Sequence, residues 1–340
     1  MTDGLRTQTA ARYSVLDLAP LRLGGSVAEA LANSLDLARH AERWGYTRFW
    51  LAEHHNMPGI ASAATAVLIC HIAGGTRTIR VGSGGVMLPN HAALMVAEQF
   101  GTLEALFPGR IDLGLGRAPG SDRMAARAMR RGLHGGEEEF PAQVAELLAY
   151  FAPVQPGQRL QAVPGGGAEI PVWLLGSSTY SARLAAQMGL PFGFASHFAP
   201  DLLLDAIRIY RAEFQPSERL AAPYLIAGMP VVVADSDAEA RRLATSPAQR
   251  HLALIRGEPI FIPPPVDCMD GLWSDAERET VEARQRVAAI GGPETVRRQI
   301  AAFLSATKAD ELMFTSDVWE HSARLRSFEL AARAMGEFGV

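Results

Sequence analysis

Residues 18–27 read LAPLRLGGSV. They join a short apolar run at 14–18 (SVLDL) to residues 27–44, whose apolar positions recur at helical spacing. This junction separates two α/β architectures. A doubly wound dinucleotide fold carries its phosphate fingerprint, G-x-G-x-x-G, in the first strand-to-helix turn. Here only Gly24 and Gly25 are present, without that spacing. Ser26 suits the helix N-cap and Gly45 its stop. The opening unit is a strand and a helix without a nucleotide loop.

The same alternation continues outward. Strand-like runs fall at 47–52 (TRFWLA), 79–83, 110–115 (RIDLGL), 171–175, 192–195, 226–234 and 311–314. Helical spacing appears at 63–73, 95–106, 181–188, 202–214, 238–245, 293–305 and 322–335, and across about 122–150 with breaks at Gly132, Gly135 and Gly136. With about eight short apolar strands alternating with helices, the pattern predicts a (β/α)8 TIM barrel with insertions. One domain should span 1–340, with no linker inside it. Residues 152–169, rich in Pro, Gly and Gln, and the less regular 248–290 are expected as inserted loops or a lid.

Composition narrows the function. The 340 residues are 48% hydrophobic and 20% charged, with net charge −4 and pI near 6.2. No Lys/Arg block invites nucleic acid or an anionic membrane. Two distant cysteines, Cys70 and Cys268, exclude a disulfide framework and a zinc ribbon. The start of the chain is polar, without the apolar core of a signal peptide, and no run is long enough to span a membrane. A cytoplasmic location is expected.

Chemistry-bearing residues cluster at the predicted strand ends, where barrel enzymes keep their active sites. Residues 51–59 read LAEHHNMPG. Along an extended chain His54 and His55 point to opposite sides, so one enters the mouth and the other packs outward. Barrel metallohydrolases want His-x-His, so no metal is expected. Residues 114–120 (GLGRAPG) place Arg117, a fixed cation, just past a strand. Residues 176–181 (GSSTYS) bring hydroxyls and free amides to a helix N-terminus, an anion site. Gly84 and Gly85 would let backbone approach a flat ligand or form a bulge.

Together these segments resemble the bacterial luciferase-like flavin monooxygenases, in their single-chain branch. The resemblance rests on LAEHHN at 51–56, VGSGGVMLPNH at 81–91, LEALFPGRIDLGLGRAPG at 103–120, LGSSTYSARLAAQMGLPFGFASHF at 175–198 and ADELMF at 309–314. It implies a barrel that binds reduced FMN. Arg117 matches the arginine on the FMN phosphate, and Gly176, Ser177, Ser178 and Ser181 the phosphate-binding turn. Gly84–Gly85 matches a cis peptide beside the flavin ring, which Ala195 and Ser196 border. His54 matches the histidine near the reactive edge. Glu53 should share the outward side with His55 and bind it.

The implied activity is a monooxygenase that uses reduced FMN and O2 on a small organic substrate, an aldehyde, ketone or activated ring. A separate flavin reductase would supply the cofactor, and a homodimer is the implied assembly. The alternatives are a deazaflavin- or FMN-dependent oxidoreductase without oxygen insertion, or a non-catalytic flavin-binding protein. Gly116 stands where luciferase has a reactive cysteine, and Ala195 where it has a serine. These departures leave light emission and a long-chain aldehyde unsupported.

Overall fold

The computed structural model describes residues 11–118, 123–129 and 137–336. Its strands are β1 (Arg12–Asp17), β2 (Arg48–Leu51), β3 (Arg80–Met87), β4 (Ile111–Gly116), β5 (Val172–Gly176), β6 (Phe192–Phe194), β7 (Leu225–Val233), β8 (Ala289–Gly291) and β9 (Glu311–Thr315). Between and after them lie α1 (Val27–Arg43), α2 (Thr65–Gly75), α3 (Ala93–Leu106), α4 (Arg123–Met129), α5 (Phe140–Tyr150), α6 (Thr179–Gln187), α7 (Leu203–Glu213), α8 (Asp237–Leu243), α9 (Thr245–Arg256), α10 (Asp275–Gln285), α11 (Pro293–Thr307) and α12 (His321–Gly336).

β1 to β7 and β9 pair in parallel around a closed ring, β6 meeting β7 and β9 meeting β1. This is the eight-stranded barrel expected from the alternation. Strands buried on both faces read as continuous apolar runs. Accordingly, β7 (LIAGMPVVV) buries every residue but Pro230. β8 adds a ninth, short strand outside the ring, paired only with the end of β7. The helices wrap the ring by burying one stripe. In α1 that stripe is Ala30, Ser34, Leu37, Ala38 and Ala41, and Ser26 caps the helix by accepting the Glu29 amide at 3.2 Å. No helix among the described residues is long and apolar enough to cross a membrane.

One stretch differs from expectation. Helical spacing across 122–150 holds α4 and α5, as expected, and the breaks placed at Gly132, Gly135 and Gly136 lie outside the described residues. Within 248–290 the chain is more regular than its sequence suggests, for it holds α10 and most of α9. α10 buries only Val281 and has no apolar stripe to read; a capping box of Ser274 and Glu277 starts it. α9 tolerates Pro247 because the proline sits in its first turn, where the missing N–H has no intrahelical acceptor. The Ile260 and Ile262 amides donate to Pro58 and Leu21 carbonyls at 3.1 and 2.9 Å. The segment therefore lies over the carboxyl end of the barrel, tied to its first two loops.

The amino end of the barrel is closed by charge. Arg48, the first residue of β2, donates to Asp112 of β4 at 2.8 Å and to both oxygens of Glu311 of β9 at 2.8 and 3.1 Å. Trp50 Nε1 and Arg80 add hydrogen bonds to Asp112, and Ser14 and Tyr224 hydroxyls donate to Glu311. Both carboxylates are fully buried. Burial works against the Arg48 charge, but Asp112 and Glu311 outweigh it and raise the pKa above the ordinary arginine value. Above this plug the interior is filled by Leu16, Trp50, Trp173, Ile226 and Met313, with the two indole rings edge to face at 5.4 Å.

Removing one partner of such a pair strands buried charge. Arg48→Met should therefore destabilise the fold by about 3–5 kcal/mol, measured as a lower urea midpoint with unchanged slope.

Candidate active site at the barrel mouth

A cavity of about 320 Å3 opens at the carboxyl end of the barrel, within the ~300–1,000 Å3 typical of small-molecule sites. His54, Gly84, Gly85, Arg117, Gly176, Ser177, Ser178, Ser181 and Ala195 all line it. They come from the ends of β2, β3, β4, β5 and β6. Ser196 does not line it. Its side chain is fully buried and its hydroxyl donates to the Gly228 carbonyl, so it fastens β6 to β7. His197 and Phe198 take the place on the wall that Ser196 was expected to share, and Met87 and Phe194 also line the cavity.

One end of the cavity is polar. Arg117 follows β4, and its guanidinium stacks over the Tyr180 ring at 4.3 Å from the centroid. Opposite it α6 begins, with Ser178 as extended N-cap and Ser181 buried in the first turn. First-turn amides have no intrahelical acceptor, so they and the Arg117 guanidinium gather hydrogen-bond donors at one end of the cavity. Gly176 is required by packing: a Cβ there would run into the Ser181 side chain.

The other end is apolar and close to backbone. Gly84–Gly85 is a cis peptide, as the resemblance implied, and the pairing of β3 with β4 shifts register between Ser83 and Val86. A Cβ on Gly84 would lie 2.6 Å from Leu16 Cδ1 and 3.1 Å from Trp50 Cβ, and one on Gly85 2.7 Å from the Gly114 carbonyl oxygen. Both glycines therefore meet a steric demand, and both also face the cavity. The expected bulge is present, and the Gly84–Gly85 backbone lies against the cavity.

β2 ends at Leu51, and the next four residues divide their side chains as alternation predicts. His54 faces the cavity. Glu53 and His55 turn the other way and meet, His55 Nε2 to Glu53 Oε1 at 2.8 Å. Sequence spacing did not show the third member: His91 Nε2 reaches the same oxygen, also at 2.8 Å, while the Met87 amide donates to Oε2 at 3.1 Å. Burial would raise the Glu53 pKa. Hydrogen bonds from His91, His55 and Met87 outweigh it and hold the carboxyl below its ordinary 4.5. The three ligand atoms lie within 4.8 Å of one another, which is also the spacing of a three-ligand cation site. At 2.8 Å, however, each imidazole is hydrogen-bonded through Nε2 to the carboxylate. The cluster clamps the turn after β2 to the turn after β3, directly behind His54 and Met87.

A second cavity of about 150 Å3 adjoins the first and shares Leu18, His54, His197 and Phe198 with it. His197 stands at the junction. Burial lowers its pKa to about 4, with His251 and His54 adding to the effect and Asp317 opposing it, so the ring is neutral at pH 7.

Comparison with known proteins matches this geometry. The pattern that defines the luciferase-like monooxygenase family fits residues 11–311. A luciferase-like monooxygenase of Escherichia coli (strain K12) is 53% identical over 325 residues, covering 96% of this chain and 97% of its own. The crystal structure of apo-MsnO8 superposes with TM-score 0.86 at 35% identity, over 96% and 98% of the two chains. The oxygenating constituent of 3,6-diketocamphane monooxygenase from Pseudomonas putida, a type II Baeyer–Villiger monooxygenase solved in complex with FMN, shares the fold at 19% identity and TM-score 0.69, over 96% of this chain and 98% of that one. The chain belongs to the luciferase-like monooxygenase family and is an oxidoreductase of that family.

Replacing the clamp carboxylate tests its structural role. Glu53→Gln should cost about 1.5–3 kcal/mol near pH 7, the scale of hydrogen bonds to a charged group. Because the folded pKa is depressed, the Glu53 contribution is full above the unfolded value near 4.5 and is lost as pH falls through the lower folded value. The stability gap between wild type and variant, from denaturant melts across pH, should close only on the acid side.

Proposed function

We propose that this family member is an FMN-dependent monooxygenase that oxygenates a small organic molecule, a carbonyl compound or an activated ring. One observation carries the reading: nine of the ten residues singled out from sequence, spread over five strand ends, line one cavity with an anionic-group end and an apolar end.

The residues present fit FMN. The phosphate would be held between Arg117 and the first turn of α6, with Ser177, Ser178 and Ser181 as donors. The ring would rest against the Gly84–Gly85 backbone and Ala195, where no side chain stands in the way. Reduced FMN, when bound, supplies the chemistry that activates O2.

The protein's own part is to bind, orient and exclude water. Leu16, Trp50, Leu175 and Met313 give the ring end an apolar floor. His54 is the proton-handling group, because it brings an imidazole, whose nitrogens can accept or donate a proton, to the cavity wall. His197 is kept neutral and serves as a hydrogen-bonding wall. The Glu53 clamp fixes the turn that carries His54. Reduced cofactor would come from a separate flavin reductase.

Two substitutions separate binding from chemistry. Arg117→Ala should weaken FMN binding by about 1.5–3 kcal/mol in a fluorescence titration, the range of a charge-assisted hydrogen bond. Unchanged affinity would remove the phosphate assignment. His54→Ala should leave FMN affinity and melting temperature close to wild type but slow oxygenation about a hundredfold, as expected for loss of a general acid–base group. Retained turnover in that variant would take the catalytic role away from His54.

A further inference from the structure

The second cavity has a chemistry of its own. Its body is apolar, with Met57, Ile60, Val232, Leu254, Ile260 and Ile290 on the wall. Its charged side chains are Arg250, Arg284 and Asp317. Arg250 is buried and committed: it pairs with Asp317 at 2.6 Å and donates to the Ile260 carbonyl at 3.0 Å. Arg284 is half-buried and makes no hydrogen bond or ion pair with any described residue. Two cations and one anion leave one unanswered positive charge in a chamber whose other lining residues are uncharged apolar and polar side chains. Three further groups lack partners among the described residues. Ser316 Oγ, His251 Nδ1 and, at the junction with the first cavity, His197 Nδ1 are buried without hydrogen bonds, and all three residues line this cavity. A buried hydroxyl without a partner is costly unless a ligand supplies one.

We propose that this second cavity is the substrate chamber and that it selects small organic carboxylates with an apolar body. The proposal rests on the first cavity being the flavin chamber. One net positive charge matches a monoanion, and the planar guanidinium fork of Arg284 matches a carboxylate. Ser316 Oγ and the His251 ring supply the remaining polar contacts. Asp317 does not repel the ligand's charge strongly, because Arg250 already neutralises it at 2.6 Å. With its carboxylate at Arg284, the molecule extends its apolar part along the Ile and Leu wall toward His54 and His197, where the two cavities meet. The oxidised atom is therefore at the end away from the carboxylate. α9 and α10 set this specificity, since Arg250, His251 and Leu254 come from one and Arg284 from the other.

The test compares matched pairs. Phenylacetate, 4-phenylbutanoate and octanoate, each beside its neutral amide, are titrated calorimetrically into the full-length protein with FMN present, near pH 7. At least one carboxylate should bind tenfold or more tighter than its amide. Arg284→Gln should abolish that preference while leaving amide affinity unchanged, and Arg284→Lys should restore part of it. No carboxylate preference in any of the three wild-type pairs overturns the proposal, and this comparison needs no variant to fold. Equal weakening of acid and amide by Arg284→Gln, with an unchanged melting temperature, also overturns it. FMN binding is followed in the same samples. A carboxylate preference without flavin binding supports the anion chamber and sinks the flavin reading, and flavin binding without a preference does the reverse.

Discussion

Arg48 sits between two buried carboxylates at the narrow end of the barrel, and the rest of the molecule is arranged around that pairing. Its guanidinium joins β2 to β4 and β9, strands far apart in sequence but across the ring from one another. Three charges in such a place are tolerated only because each satisfies the others and the Ser14, Trp50, Arg80 and Tyr224 side chains take up remaining hydrogen-bonding capacity. The plug fills the lower interior with polar groups that have no use for a ligand. Indole rings and aliphatic side chains fill the next layer. Only the carboxyl end is left to form a cavity, which is where the loops bring their functional groups.

At that end one short motif does two jobs. Successive residues of an extended chain face opposite ways, so LAEHHN delivers His54 to the cavity and commits Glu53 and His55 to the wall behind it. The wall is strong because Glu53 collects hydrogen bonds from two imidazoles and a backbone amide. The backbone that carries His54 is thus held by its neighbours. Ser62 contributes in the same sense, its hydroxyl and carbonyl holding the Ala52 carbonyl and the His54 amide.

The segment over the mouth divides the labour differently. α9 and α10 are largely polar helices whose inward residues build a second chamber next to the first. The stretch between them reaches the barrel through backbone hydrogen bonds from Ile260 and Ile262 to Pro58 and Leu21, and α9 through the Arg250–Asp317 pair. Gly59 has to be glycine for this approach, since a Cβ there would strike the Ile260 backbone, and its φ of +104° already favours glycine.

Much of this was legible in the chain itself. The eight barrel strands are apolar runs bounded by helical spacing, and burial on both faces makes such runs conspicuous. His54, Arg117 and the Ser177–Ser178–Ser181 turn were recognisable because strand ends and helix starts are local features, and local features predict which groups point out of a barrel. Four features were not read from the sequence. α10 lacks an apolar stripe, so periodicity could not reveal it. Ser196 leaves the wall to His197 because Gly193, Ala195 and His197 face the cavity in alternation, while Ser196 between them turns away to the Gly228 carbonyl. His91, the third member of the Glu53 clamp, lies 38 residues from its carboxylate, and the second cavity draws together Met57, Arg250, Arg284 and Ser316. Sequence by itself determined the ring and the residues at its rim, because hydrophobic period and turn chemistry act over a few residues. Tertiary structure alone decided which of those residues share a cavity and which charge stays unanswered, because burial and electrostatic balance depend on every neighbour that folding brings near.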